Sequence, residues 1–269
     1  MGIPHYDFIE CGECSEVLKK YDDKCIDMVL TSPPYDNLRT YKGYGWDFED
    51  VAKELARVLK DGGVIVWIVN DATVNGSETG TSFRQALYFM VLGLNLHDTM
   101  IWKKPTFTAT GSLKYRYAPV FEYMFVFSKG KIKTFHPIKD RKCVYTGRTY
   151  HGTVRNADGE FKRISGLGVK TINEYGQRFN VWECPTLPNR ERTGHPAQFP
   201  VKLAKDHIIS WSNEGDVVLD PFMGSGTTAI ACIESNRHYI GIDISKEYCE
   251  LAQNRIKNAK MNEVNDEVN

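Results

Sequence analysis

Ten residues in the C-terminal quarter constrain the fold more than any other stretch: Leu219-Asp220-Pro221-Phe222-Met223-Gly224-Ser225-Gly226-Thr227-Thr228. The short apolar run Val217 to Asp220 reads as a buried strand that enters a Gly-x-Gly turn and then opens a helix over Thr227 to Ser235. Glycines at such a turn let the backbone approach a ligand closely, and the start of a helix favours an anionic group. The next strand, Tyr239-Ile240-Gly241-Ile242-Asp243, ends in a carboxylate, the placement that nucleotide folds use to accept ribose hydroxyls. Asp243 has a second reading, as the N-cap of a helix from Lys246 onward. Ala229 stands where a dinucleotide fingerprint would carry its third glycine, and no Walker lysine follows, so nucleoside triphosphate hydrolysis is not expected.

Three further Val/Ile-rich runs, Asp7 to Glu10, Ile26 to Thr31 and Val64 to Val69, end in turn-forming residues, as strands covered on both faces do. A helical pattern covers Phe48 to Leu59. Two aromatic, β-rich runs, Thr99 to Trp102 and Tyr123 to Phe127, read as an antiparallel pair. The mixture predicts an α/β sheet with helices on both faces. Periodicity is lost between Phe127 and about Pro200, where Gly, Pro and charge thicken into loop or irregular β structure.

Composition matters here through its distribution. The 34 basic and 34 acidic residues cancel, which taken alone argues against a polyanionic partner. Yet Lys129 to Arg192 holds 14 Lys and Arg against 6 Asp and Glu, a local charge of +8, interleaved with Tyr145, Tyr150, Phe161, Tyr175, Phe179 and Trp182. That block reads either as a solvated face or as a polyanion-facing insert in an otherwise acidic chain. Seven cysteines without framework spacing, no secretion signal and no membrane-length apolar run point to a reducing, cytoplasmic setting. Cys11 and Cys14 form a CxxC pair with no second pair at zinc spacing, so neither structural zinc nor thioredoxin-like chemistry is expected.

A second site follows the strand Asp27-Met28-Val29-Leu30-Thr31, which runs into Ser32-Pro33-Pro34-Tyr35. Two successive prolines fix φ and donate no hydrogen bonds, so the main chain is stiff. The carbonyls of Ser32 and Pro33, the Ser32 hydroxyl and the flat face of Tyr35 suit a planar ligand that presents an amino group. The plainer alternative is a rigid turn after a strand.

These residues resemble the amino-methylating DNA methyltransferases. Ser-Pro-Pro-Tyr with Asp-Pro-Phe-x-Gly-x-Gly-Thr-Thr carries the resemblance, and the order of catalytic motif, variable region and cofactor motif is similar to the beta subclass. Supporting pieces are Gly12-Glu13-Cys14 on the strand before the catalytic one, Leu59-Lys60-Asp61-Gly62-Gly63, Ile101-Trp102-Lys103-Lys104-Pro105, Phe121 to Phe127 and His195-Pro196-Ala197-Gln198-Phe199-Pro200. The resemblance implies a circularly permuted, Rossmann-like methyltransferase sheet, mostly parallel with one antiparallel hairpin strand, plus a small basic target-recognition insert. The corresponding divisions are 1–128 (catalytic half), 129–193 (target recognition) and 194–269 (cofactor-binding half).

By resemblance the cofactor is S-adenosylmethionine. Its binding set would be Glu13, Cys14, Thr31, His195, Ala197, Phe199, Asp220, Pro221, Phe222, Gly224, Ser225, Gly226, Thr227 and Asp243. Phe222, Gly224 and Gly226 would lie at the methionine end, Asp243 at the ribose, and the Pro-Ala-Gln-Phe-Pro segment over the amino-acid moiety. Glu13 would reach the adenine edge, where the family more often carries Asp. The catalytic set would be Ser32, Pro33, Pro34 and Tyr35, acting on a base flipped out of duplex DNA. Serine at the first motif position is typical of family members that methylate cytosine N4, and Asp or Asn of those that methylate adenine N6. The expected substrate is therefore cytosine in double-stranded DNA, with adenine as the alternative and no metal involved. Rival readings are an RNA or small-molecule methyltransferase and a catalytically inactive DNA-binding protein. A cognate restriction endonuclease would be a functional rather than a physical partner, nucleoid association is expected, and oligomeric state stays open. The segment Asp36 to Trp46 reads either as a loop that orders on DNA or as an ordinary connection.

Overall fold

A computed structural model describes residues 6–34, 46–106, 113–150, 152–163, 170–186 and 198–267. The chain divides into one unit of Met1–His136 with Asn180–Asn269 and a second of Pro137–Phe179. The first unit begins with β1 (Phe8–Cys11), α1 (Cys14–Leu18), β2 (Ile26–Thr31), α2 (Phe48–Val58) and β3 (Leu59–Val69). A small hairpin, β4 (Thr73–Val74) and β5 (Ser77–Glu78), leads to α3 (Thr81–Val91), β6 (Asn95–Lys103) and β7 (Phe121–Ser128). The second unit holds β8 (Arg141–Lys142), β9 (Thr149–Tyr150), β10 (Thr153–Arg155), β11 (Phe161–Arg163), β12 (Lys170–Thr171) and β13 (Tyr175–Gly176). The first unit then resumes with β14 (Val181–Glu183), α4 (Val201–Trp211), β15 (Val217–Asp220), α5 (Thr227–Ile233), β16 (His238–Asp243) and α6 (Lys246–Glu267).

The Val/Ile-rich runs make the interior of an eight-stranded sheet of order β1-β16-β15-β2-β3-β7-β6-β14. Every neighbouring pair is parallel except those made by β7, which runs against both β3 and β6. The expected α/β class and the antiparallel aromatic pair are both present. Burial on both faces explains the absence of polar alternation in β2, β3 and β15, whose central residues are solvent-free.

Helix α2 shows why the local sequence folds as it does. Asp47 caps it by accepting the Asp50 N–H, and Val51, Ala52, Leu55 and Val58 form the buried stripe. That stripe joins a core containing Trp67, Phe89 and Phe127, each fully buried. Strand β3 starts five residues before the expected Val64, at Leu59, and the register with β2 shifts between Ile26 and Met28. Glycine makes this irregularity possible: Gly62 sits at φ 85°, and a Cβ on Gly63 would lie 2.7 Å from the Asp27 carbonyl oxygen.

The ligand-facing end of the sheet follows from topology. Strands β15 and β2 are neighbours, paired at Val218↔Met28 and Leu219↔Val29. From β15 the chain turns through α5 to β16 on one side; from β2 it passes to β3 on the other. A crevice outside the carboxyl ends of two such diverging strands is where open α/β sheets bind ligands.

The second unit is built of three short antiparallel pairs, β10 with β11, β12 with β9 and β13 with β8. It lies within the basic block. Three of its arginines cover aromatic rings: Arg141 over Phe179 at 4.5 Å, Arg148 over Tyr145 at 4.8 Å and Arg155 over Phe161 at 5.8 Å. All three rings are largely exposed, so these contacts leave an aromatic, cationic surface.

Candidate active site

The site forms where β15 and β2 end. Asp220, the last residue of β15, is 1% exposed, and both of its carboxylate oxygens are engaged. Oδ1 accepts from the Thr31 hydroxyl at 2.7 Å and the Phe222 N–H at 3.1 Å, and Oδ2 accepts from the Thr228 hydroxyl at 2.6 Å. Burial pushes the Asp220 pKa up to about 6, against the opposing effect of these hydrogen bonds. Thr31 and Asp220 belong to the cofactor set expected from the sequence. In the structure their side chains turn toward one another inside the protein.

The Gly-x-Gly turn is held from three directions. Gly224, at φ 51°, donates its N–H to Asp243 Oδ2 at 2.9 Å. Arg255 of α6 donates from Nη1 to the carbonyl and, at 3.0 Å, to the hydroxyl of Ser225. Gly226 sits at φ 81°, and a Cβ there would come within 3.0 Å of the Ala252 Cβ. Pro221 is buried, and Phe222 is half-buried. Thr227 is 3% exposed, and its hydroxyl has no hydrogen-bond partner among the described residues. A buried orphan hydroxyl beside a glycine turn fits a polar ligand group that completes the bond.

Asp243 is tied to the glycine turn and does not cap α6. Its Oδ1 accepts the Ser245 N–H at 2.8 Å while Oδ2 holds Gly224, and burial raises its pKa despite these two bonds. Capping of α6 falls instead to Ser245, whose hydroxyl lies 3.4 Å from the Tyr248 N–H. The Asp243 carbonyl accepts from the Gly12 N–H at 2.9 Å, which brings the β1–α1 junction to the same end of the sheet.

At that junction the structure corrects one placement. Gly12-Glu13-Cys14 lies beyond β1, with Glu13 as the N-cap of α1 and Cys14 as its first residue. Glu13 Oε2 accepts from the Ser15 hydroxyl at 2.5 Å and the Glu16 N–H at 3.0 Å, satisfying a donor that a helix start leaves free. Among the described residues Oε1 has only the weak Cys14 thiol donor at 3.6 Å. Burial raises the Glu13 pKa, but the bonds from Ser15 and Glu16 outweigh it and the net shift is downward.

Just beyond β2, Ser32 and Pro34 are half-buried and Pro33 is buried. The Pro34 carbonyl accepts from Trp46 Nε1 at 3.2 Å, and the Trp46 ring meets Phe222 edge-on at 4.7 Å. Trp46 therefore touches both motifs. It was legible in the sequence only as the end of a connecting segment, because its two partners are distant in the chain. Arg255 likewise had no local signal, standing 30 residues from Ser225. Phe199 is buried just ahead of α4. Tyr35, His195, Ala197 and the stretch 36–45 lie outside the described residues. Among the described residues no cluster of three or more His, Cys, Asp or Glu side chains lies together, and no helix is long and apolar enough to cross a membrane.

The Thr31–Asp220–Thr228 bonds, the glycine turn and the Ser-Pro-Pro end thus meet at one end of the sheet. Residues 26–254 match the N6/N4 family model described as DNA methylase, and the chain belongs to that family. It is 53% identical to the orphan methyltransferase M.BamHII of Bacillus amyloliquefaciens over 243 residues, 88% of this chain and 90% of the relative. It is 31% identical to the type II methyltransferase M.HpaI of Haemophilus parainfluenzae, over 91% of this chain and 73% of that one. Among solved structures, the cytosine-N4-specific PvuII DNA methyltransferase superposes with a TM-score of 0.67 at 20% identity, covering 93% of this chain and 86% of that one. The M1.HpyAVI–SAM complex gives 0.65 at 23% identity, covering 93% and 98%. The protein is a site-specific DNA methyltransferase of the N4/N6 class.

Proposed function

We propose that this chain methylates the exocyclic N4 of cytosine in duplex DNA. The observation that carries the proposal is the Ser32-Pro33-Pro34 end of β2, bonded through Thr31 to the base of the glycine turn. S-adenosylmethionine supplies an electrophilic methyl group when bound. Phe222, Gly224, Gly226 and the orphan hydroxyl of Thr227 would hold its methionine end, Asp243 its ribose, and the open oxygen of Glu13 its adenine edge.

The chain's part of the chemistry is to orient the amine. Ser32 Oγ and the Pro33 carbonyl accept the two amino hydrogens, which draws the nitrogen lone pair out of ring conjugation. The Pro34 carbonyl accepts from Trp46, which holds the end of the motif while the Pro33 carbonyl would face the amine. Tyr35 would stack on the face of the flipped base. Alignment of this kind supplies up to about 7–11 kcal/mol in well-oriented systems. No side chain of tuned basicity is required, because the methylated nitrogen is acidic enough to lose its proton to water.

Cytosine is favoured over adenine by the neutral hydroxyl of Ser32. The basic second unit would grip phosphates. Tritiated S-adenosylmethionine with duplex DNA, followed by nucleoside analysis, tests the proposal. N4-methylcytosine is the expected product; N6-methyladenine overturns the base assignment, and absence of label from DNA overturns the activity.

A further inference from the structure

The hydrogen-bond ladder between β15 and β2 stops at Leu219↔Val29. Beyond that pair the strands part, and the crevice begins. The bond that spans the gap is made by side chains, Thr31 Oγ1 to Asp220 Oδ1 at 2.7 Å. Asp220 extends the connection through Oδ2 to Thr228, in the first turn of α5, and through Oδ1 to the Phe222 N–H inside the turn. Three donors from three places converge on one carboxylate, and the three side chains are 1% exposed or less. None of their polar atoms is open to a ligand.

We propose that Thr31, Asp220 and Thr228 form a positioning triad that sets the distance between the Ser32-Pro33 acceptors and the glycine turn. The inference rests on the methyltransferase reading above. Thr31 acts through the residue that follows it, Ser32. Thr228 acts through Thr227 and Gly226, which precede it in the chain. Asp220 joins them because a carboxylate accepts all three donors at once, whereas an amide offers a single acceptor oxygen. Only a short side chain with a hydroxyl on Cβ serves at either threonine, since valine fills the same volume without a donor.

The two ends of the triad therefore have separable effects. In Thr31→Val the catalytic end loses its tie while the turn keeps Thr228 and Phe222. Turnover at saturating cofactor is expected to fall about 10²-fold, the scale of a 1 Å misplacement. Binding of S-adenosylhomocysteine, read by titration calorimetry, stays within about threefold of wild type, under half the 1.4 kcal/mol of a tenfold change. Thr31→Ser restores the hydroxyl and recovers most of the turnover. Thr228→Val shows the reverse split: affinity for S-adenosylhomocysteine weakens by about tenfold or more, the scale of one lost hydrogen bond, and turnover at saturating cofactor changes less.

A merely structural role moves both parameters together with the melting temperature, and Thr31→Ser then brings no selective recovery. The triad is overturned if Thr31→Val weakens S-adenosylhomocysteine binding as much as Thr228→Val does, or if Thr31→Val turns over at the wild-type rate. Failure of the wild-type protein to label any DNA overturns the functional reading instead. In that event the calorimetric comparison still decides the triad: equal affinities in wild type and Thr228→Val reject it.

Discussion

Replacing Asp220 by Asn tests the buried carboxylate through the pH dependence of stability. In the folded protein the group titrates near 6, and in an unfolded chain near 3.9, the ordinary Asp value. Between those values the folded state binds the proton more tightly, so its stabilising contribution is full below about pH 3.9 and is lost as pH rises through about 6. A difference of about two pKa units corresponds to about 3 kcal/mol, of which roughly half is lost between pH 5 and pH 8. Asn carries no such proton. The stability of Asp220→Asn relative to wild type should therefore improve with rising pH, by on the order of 1 kcal/mol from pH 5 to pH 8. Urea unfolding of the two proteins at half-unit pH steps gives the measurement. A relative stability that is flat across this range, or that falls as pH rises, refutes the assignment of a buried, reluctantly ionised carboxylate to this position.

Trp46→Phe keeps a ring against Phe222 but removes the donor to the Pro34 carbonyl; methylation kcat/KM should drop about fivefold, near the 1 kcal/mol of one hydrogen bond, and an unchanged value in steady-state assays would show that the bond is idle. Gly226→Ala places a Cβ at φ 81° and 3.0 Å from Ala252, so a loss of about 1–2 kcal/mol in urea unfolding and weaker S-adenosylhomocysteine binding are expected. Lys142→Gln with Lys162→Gln removes two exposed charges of the second unit. The slope of log affinity for DNA against log salt should become shallower by about 0.9 for each charge that meets a phosphate, measured by fluorescence anisotropy. A slope identical to wild type would place both lysines away from the nucleic acid.

Local chemistry made the strands and turns legible. β2 and β15 begin and end where apolar runs and punctuation placed them, and α2 ends within one residue of its expected limit. β3 departed from expectation because its first residues, Lys60 to Gly63, look like a turn but join the ladder through a glycine irregularity. The sequence around Glu13 reads as strand, yet its carboxylate is better satisfied by the free N–H of a helix start. The zero net charge was uninformative until resolved along the chain, where the basic block separates from the acidic remainder.

By itself the sequence determined the sheet class, the two motifs and their order, since each depends on residues within a few positions of one another. Only the tertiary structure decided how those motifs meet. Thr31 and Asp220 are 189 residues apart, and no local preference of either reports that one hydroxyl will face the other carboxylate. The same holds for Trp46 with Phe222 and for Arg255 with Ser225. The capping reading of Asp243 was locally satisfactory, but packing gave the cap to Ser245 and bound Asp243 to the glycine turn. Periodicity and punctuation report what a residue does to its neighbours in the chain. A buried polar group must instead find its partner wherever the fold brings one, because leaving it unpaired costs more than most local preferences can offset.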